Sequence, residues 1–274
     1  MISIVTITYN NFIELQKTLT SLFSYQDQHL SQTIEIIVVN GGICPNSKKF
    51  LNDYQLKSKV NVTIIHEPDG GIADAFNKGV HKAKGKAISF LNSGDLLLDK
   101  EYYAWSDKFL DQHPEYEFIH GDVIFNDTLC GPLKMGPTHK NIGRGMPYYH
   151  QTMIVRTKVF EKIGGFDSAY RINMDYHFVC KMEKNGIDYS KGLYYKKYQD
   201  RPLILMDGRG ISATKEWSSI RESYHALRVT QMLGLVNLYG LVTRFIFMSG
   251  RMVLIKFNLQ KLLICLKKIK HPSL

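Results

Sequence analysis

The sequence predicts an α/β protein: a mostly parallel β-sheet with flanking helices, followed by a basic helical tail. Three observations lead there. From Ile2 to Leu91, short runs of apolar and β-branched residues alternate with segments of helical periodicity. Those runs are apolar on both faces, as strands buried between two helical layers must be. Charge is uneven: of the net +10, residues 218–274 carry +8, with nine Lys/Arg against the single acid Glu222, while residues 1–217 hold 26 Lys/Arg and 24 Asp/Glu. At 44% hydrophobic and 22% charged, the composition is that of a folded globular chain and excludes global disorder or a fibrous repeat.

Taken in order, Ile2–Ile7 reads as a buried strand. Asn10-Asn11 opens a helix to about Ser24, with Phe12, Leu15, Leu19 and Leu22 on one face. Ile34–Val39 is a second strand, stopped by Asn40-Gly41-Gly42, and a helix from Ser47 to Leu56 follows. Val60–His66 is a third strand, Gly71–Ala83 a helix and Lys86–Leu91 a fourth strand. Lys100–Gln112 reads as a helix and Glu117–Val123 as a strand. Gly131, Pro132, Gly136, Pro137, Gly143, Gly145 and Pro147 make 131–149 a mobile loop over the sheet edge. Gln151–Val155 is a strand, Val159–Ile163 a short helix closed by Gly164-Gly165, and Asn173–Lys184 a helix capped by Asn185-Gly186. Strands near 192–197 and 202–206 precede a helical tail from Glu216 onward.

In parallel sheets of this kind ligands bind beyond the carboxyl ends of the strands. Polar residues collect there: Thr8-Tyr9-Asn10, Asn40-Gly41-Gly42, Asp69-Gly70-Gly71 and Asn92-Ser93-Gly94-Asp95. Asp95 could supply a carboxylate, and Asn92 an amide, to Mg²⁺ or Mn²⁺ bound with phosphate oxygens. Alone, the tetrapeptide reads better as a turn; its place after a fourth buried strand adds weight. Asp69 and Asp74 could hydrogen-bond sugar or ribose hydroxyls beside a helix whose free N–H groups face the crevice. Asp69 could instead be an N-cap and Asp74 a first-turn acid, and for Asp74 and Asn77 a structural role weighs the same as a binding one. Asp175 could act as a general base, though its spacing alone is that of an ordinary first-turn carboxylate. His150 and Gln151, after the Gly-rich stretch, are candidate donor or acceptor contacts; a lone histidine is more often structural.

The segments Ile4-Val-Thr-Ile-Thr-Tyr-Asn10, Ile36–Val39, Asp69-Gly-Gly-Ile-Ala-Asp-Ala-Phe-Asn-Lys-Gly79, Phe90-Leu-Asn-Ser-Gly-Asp95 and Ile163-Gly-Gly-Phe-Asp167 with Met174-Asp175-Tyr176 occur in an order that resembles the family 2 glycosyltransferases. The closest likeness is to the bacterial branch that builds O-antigen, capsule and colanic acid. The resemblance covers residues 1–215 and leaves 216–274 as a basic amphipathic tail. It implies a GT-A fold, with a Rossmann-like mostly parallel sheet. It also implies inverting transfer of a hexose or N-acetylhexosamine from a nucleotide-diphosphate sugar, a UDP-sugar by expectation, to a lipid-linked saccharide. On the matching positions Thr8, Tyr9 and Asp69 line the nucleoside pocket. Asn40 stands where the family has an aspartate. Asn92 and Asp95 match the ends of the DxD-like metal motif, and Asp175 matches the acid that deprotonates the acceptor. Two asparagines in acidic places keep open a second reading, a catalytically impaired transferase-like scaffold at the membrane.

The tail repeats apolar residues at Leu241, Phe245, Met248, Met252, Ile255, Leu259, Leu262, Leu266 and Ile269, interrupted by cations. Such a helix suits the anionic inner face of a cell membrane, and packing on the body or on a second subunit is the alternative. Ile246, Val253 and Ile264 lie off the stripe, and no run of apolar residues is long enough to span a bilayer. Cys44, Cys130, Cys180 and Cys265 form no CxxC pair, and Met1–Thr8 reads as a strand and not an export signal, so a cytoplasmic, peripherally membrane-associated protein is expected. Thr8-Tyr9-Asn10-Asn11 is not the G-x-G-x-x-G turn of a nicotinamide-binding fold. The near-neutral body and the lack of a nucleic-acid motif argue against a nucleic-acid partner.

Overall fold

The computed structural model describes residues 1–22, 30–128, 130–138, 141–195, 202–208, 210, 215–257, 259 and 264. The first half follows the alternation: β1 (Ile2–Thr8), α1 (Phe12–Ser21), β2 (Ile34–Asn40), α2 (Pro45–Lys57), β3 (Asn61–His66), α3 (Ile72–Lys82) and β4 (Ala87–Phe90). A two-residue strand β5 (Leu96–Leu97) and helix α4 (Tyr102–Gln112) come next. The second half holds β6 (Phe118–Gly121), β7 (Val123–Asp127), β8 (Gly131–Met135), β9 (Ile154–Arg156), α5 (Thr157–Ile163), α6 (Met174–Lys184), β10 (Gly192–Tyr195), β11 (Ile204–Asp207), α7 (Glu216–Val229) and α8 (Leu235–Lys256).

Seven strands form one sheet in the order β10-β6-β9-β4-β1-β2-β3. All neighbours run parallel except β9, which lies antiparallel between β4 and β6. Side chains alternate across the sheet as a strand's two-residue period demands. Ile34, Ile36 and Val38 join one core layer with Leu15, Leu19 and Tyr102, while Ile37 joins the opposite layer with Val5, Phe76 and Phe178. Gly79 lets α3 settle on β1, because a Cβ there would lie 2.3 Å from Val5 Cγ1. The one acid inside β2, Glu35, is buried and accepts hydrogen bonds from Ser3 Oγ (2.6 Å), Lys84 N (2.6 Å) and Gly85 N (3.1 Å).

Four sequence expectations change here. The single strand at Glu117–Val123 is two, because the chain leaves the large sheet at Gly121 and enters a second sheet of order β5-β11-β7-β8. A Cβ on Gly121 would lie 2.3 Å from Leu203 Cδ1, so the crossing is packed against the return strand. The stretch expected as a mobile loop contains β8, paired antiparallel with β7, and a single helical turn at Ile142–Arg144. The glycine there serves close packing: a Cβ on Gly143 would sit 2.1 Å from the Asn237 carbonyl oxygen, and one on Gly240 would sit 2.7 Å from Gly143 C, so α8 rests backbone-to-backbone on that turn. The Asn141 side chain ties the same junction by donating to Val236 O at 2.8 Å.

The tail is not one helix. The chain breaks after Thr230, where Gln231 has φ 59°, and restarts as α8. Leu241 and Met248 of the apolar stripe are buried against the body, whereas Phe245, Met252, Ile255 and Leu259 are exposed together with Leu235, Val236, Tyr239, Val242, Ile246 and Phe247. By length and composition α8 is apolar enough to cross a membrane, contrary to the expectation of no such segment. Leu262, Leu266, Ile269, Cys265 and the distal lysines lie outside the described residues, as does the expected strand beyond Tyr195.

Candidate active site

A cavity of about 1410 Å³ opens beyond the carboxyl end of β1 and at the N-termini of α3 and α6, and α7, α8 and the end of β11 close its far side. Thr8, Tyr9, Asp69, Asn92, Asp95, His150, Gln151 and Asp175 all line it. Segments distant in sequence therefore present their polar residues to one space, which is where open α/β sheets take ligands.

On one wall, Tyr9 is 68% exposed at the rim, an aromatic face turned to solvent. Thr8 donates its hydroxyl hydrogen to Asn11 Oδ1, which fixes the turn after β1. Asp69 accepts from Gly71 N at 3.0 Å, and its other oxygen fills the space over Gly41, where a Cβ would lie 1.7 Å away. Gly71 itself has φ +125°, a left-handed value that suits glycine, so the chain can turn sharply into α3.

At the centre, Asp95 is 4% exposed and accepts from Asp207 N at 3.1 Å. Burial pushes its carboxyl up to about 6; the Asp207 N–H and the charge of His150 oppose that, and the carboxylate of Asp207 adds to it. Beside it Asn92 Oδ1 and Ser93 Oγ are buried without hydrogen-bond partners. Among the described residues no group of three or more His, Cys, Asp or Glu is arranged to hold a metal by itself. The donor set is instead a buried carboxylate with orphaned neutral oxygens and a second carboxylate, Asp207, lining the same space. Such an all-oxygen set fits a hard divalent cation that completes its shell with a ligand's phosphates.

Across from these, Asp175 stands in the first turn of α6 with Oδ2 2.9 Å from His150 Nδ1. Burial pulls the His150 pKa down, but the hydrogen bond and charge of Asp175, with Asp95 behind, outweigh it and the net shift is upward. His150 Nε2 lies 3.4 Å from Asn92 Nδ2, so the histidine bridges Asp175 and the turn that carries Asp95. The start of α6 is held from α7: Glu222 accepts from the backbone N–H groups of Arg171 (3.1 Å), Ile172 (3.0 Å) and Asn173 (2.8 Å). That carboxylate takes the three successive backbone donors of the turn that leads into the helix.

Four sequence-predicted residues do not line the cavity. Asn10 spends its carboxamide oxygen on Ile43 N (2.9 Å) and Cys44 N (3.1 Å), tying the β1 turn to α2. Asn40 is buried, accepts from Gly42 N at 3.2 Å and meets His66 Nδ1 at 3.2 Å. Asp74 caps Gly70 N at 2.8 Å and pairs with Lys78, and the Gly70 hydrogen bond holds its carboxyl below the usual range. Asn77 donates to Phe166 O (2.7 Å) and accepts from Phe166 N (2.8 Å), clamping α3 to the Gly164-Gly165 turn. Conversely, Asp207, Arg171, Arg244 and Arg251 line the cavity, and sequence reasoning did not single them out as site residues. Asp207 ends a strand as Asp95 follows one, so the same rule would have found it. The arginines of α8 carried no such signal.

A doubly layered, mostly parallel sheet with this cavity at its strand ends defines a GT-A fold. Solved structures share it: residues 1–349 of S. aureus TarS with UDP-GlcNAc match with a TM-score of 0.61 at 19% identity, covering 84% of this chain and 65% of that one. A mannosyltransferase from Pyrobaculum calidifontis, in complex with GDP-Man and Mn²⁺, matches with a TM-score of 0.62 at 14% identity, covering 92% and 75%. Residues 3–128 match the family model for glycosyl transferase family 2. Among curated relatives, a PGL/p-HBAD biosynthesis glycosyltransferase of Mycobacterium bovis is 26% identical over 156 residues, 55% of this chain and 59% of that protein. An uncharacterized glycosyltransferase of Methanocaldococcus jannaschii is 28% identical over 190 residues, 65% and 63% respectively. The chain thus spans less than two thirds of the length of either curated relative.

Proposed function

We propose that the protein is an inverting glycosyltransferase. It moves a hexose or N-acetylhexosamine from a nucleotide-diphosphate sugar, most simply a UDP-sugar, to a lipid-linked saccharide in the building of a bacterial surface polysaccharide. One observation carries the reading: Asp95 and the His150–Asp175 pair face a single cavity at the strand ends, with Asn92 between them.

In this reading Tyr9 offers its exposed ring to the base, and Asp69 offers a carboxylate oxygen to the ribose. Asp95, with the oxygens of Asn92 and Ser93, would hold Mg²⁺ or Mn²⁺ against the donor's diphosphate. A bound cation supplies countercharge for the phosphate oxygens as the leaving nucleotide takes up the bond's electrons. Asp175 takes the proton from the acceptor hydroxyl as that oxygen attacks C1 from the face opposite the nucleotide. His150 holds Oδ2 of the Asp175 carboxylate and the Tyr176 N–H holds Oδ1 at 2.8 Å, so the carboxylate is oriented from both sides and would take the proton on a remaining lone pair. A general base at this position is worth ~10²–10⁴-fold in rate.

The exposed apolar face of α8, from Leu235 through Phe247 to Val253, supports attachment at the inner face of the cell membrane, where such an acceptor would lie. The test is transfer from a panel of labelled UDP- and GDP-sugars with Mg²⁺ or Mn²⁺, read alongside donor binding. Asp175→Asn should bind donor as the parent does and lose transfer ~10²-fold or more. Full turnover in that variant removes Asp175 from the mechanism; no nucleotide-sugar binding by the parent rejects the reading as a whole.

A further inference from the structure

The side of the cavity formed by α7, α8 and the loop before α6 carries Arg171, Arg244 and Arg251 against one acid, Glu216. Arg251 pairs with Glu216, yet its Nε is buried with no acceptor. Arg171 donates to Gly70 O at 3.3 Å. Arg244 differs from both: it donates to the hydroxyls of Ser223 and Ser219 at 2.9 Å each, and among the described residues no carboxylate lies within ion-pair distance of it. A partly buried guanidinium held only by neutral hydroxyls on a cavity wall still has its charge to satisfy, and planar N–H forks match phosphate oxygens.

Its position says whose phosphate. Ser219 and Ser223 also hold Asn173: Ser219 Oγ donates to Asn173 Oδ1 (3.0 Å), and Asn173 Nδ2 donates to Ser223 Oγ (2.8 Å). The Arg244 guanidinium is therefore fixed to the residue two positions before Asp175, whereas Thr8, Tyr9, Asp69 and Asp95 come from the strand ends. The helix that supplies Arg244 and Arg251 also exposes Phe245, Ile246 and Phe247. One element thus sets cations on the base side of the cavity and an apolar surface beside them. We propose that Arg244, backed by Arg251, binds the phosphate or diphosphate that joins the acceptor saccharide to its lipid, so the enzyme accepts anionic, phosphate-bearing lipids and discriminates against neutral ones. This rests on the transferase reading above, in which Asp175 marks the acceptor side.

The test uses the full chain with farnesyl diphosphate, farnesol, inorganic pyrophosphate and UDP as probes, followed by calorimetry. The parent should bind farnesyl diphosphate with UDP already at saturation, and should bind farnesol at least tenfold more weakly. Arg244→Gln should weaken farnesyl diphosphate and pyrophosphate at least tenfold and leave UDP within twofold. Arg244→Lys, which keeps charge but not the fork, should fall between. Binding to phosphatidylglycerol vesicles should be unchanged in both variants, since the guanidinium faces the cavity. Loss of UDP affinity with farnesyl diphosphate unchanged would assign Arg244 to the donor and overturn the proposal, as would a variant that alters only vesicle binding or none of the probes. If Arg244→Gln fails to fold, competition in the parent decides: displacement of UDP by farnesyl diphosphate overturns it. A parent that binds farnesyl diphosphate through Arg244 but no nucleotide would instead sink the transferase reading and leave the anion site standing.

Discussion

Asp95→Asn should make the metal-free protein more stable at neutral and alkaline pH while removing cation-assisted donor binding. The carboxyl titrates near about 6 in place of 3.8, because burial disfavours its charge. The folded state therefore holds this proton more tightly than the unfolded chain does. Stability conferred by the neutral form is intact below about pH 4 and declines as pH rises through about 6. Roughly two pKa units at 1.36 kcal/mol each set the cost of ionisation at ~3 kcal/mol. Asparagine avoids that cost and keeps an oxygen for Asp207 N. For a chain of this size ~2 °C per kcal/mol gives a gain of ~6 °C at pH 8. The assay is thermal unfolding in EDTA at pH 4, 6 and 8, repeated with Mn²⁺ and UDP. The variant should match the parent at pH 4, exceed it at pH 8, and fail to gain from Mn²⁺ and UDP together. A variant no more stable than the parent at pH 8 in EDTA would refute the argument that burial strains this carboxylate for use.

His150→Gln should lower stability most near pH 6. A histidine whose folded pKa is raised above its ordinary 6.5 gives stability that is full below that value and is lost as pH rises through the folded one. The gap between variant and parent, followed by thermal melts from pH 5.5 to 9, should therefore shrink; a constant gap would mean the pair is not titrating. Glu222→Gln replaces an acceptor-only carboxylate by an amide at three backbone donors and should cost ~1–3 kcal/mol, with faster hydrogen exchange at residues 171–173; unchanged exchange there would contradict the clamp. Gly143→Ala places a Cβ about 2.1 Å from the Asn237 carbonyl and should push α8 off the body at ~1–3 kcal/mol; a crystal structure of the variant with α8 unmoved would exclude this account.

The first half of the fold was legible because β1, β2 and β4 are almost wholly buried and each strand is followed by a turn rich in Asn, Gly or Asp. The second half was not, for identifiable reasons. His120-Gly121-Asp122 does interrupt the apolar run, but an interruption this short looks like an irregularity within one strand, whereas Gly121 turns the chain from one sheet into another, so β6 and β7 read as one strand. Gly143 looks like a loop residue in sequence, yet its lack of a side chain admits the Gly240 backbone of a helix far along the chain. In the site, Asp95 and Asp175 could be picked out by position, one after a strand and one opening a helix. Asp74 and Asn77 have equally suggestive positions but spend their polar atoms on Gly70 and Phe166. Arg244 is hidden among tail cations because its role depends on α8 folding back over the cavity, which no local pattern encodes.

The carboxylate of Glu222 reaches from α7 to three successive peptide N–H groups ahead of α6. Anyone grafting residues 1–215 onto a foreign C-terminal half would import the cavity-lining strand ends with this latch missing. Such a chimera should fold its sheet yet leave Asp175, in the first turn of α6, loosely aimed, unless the new half offers an acid at the same reach.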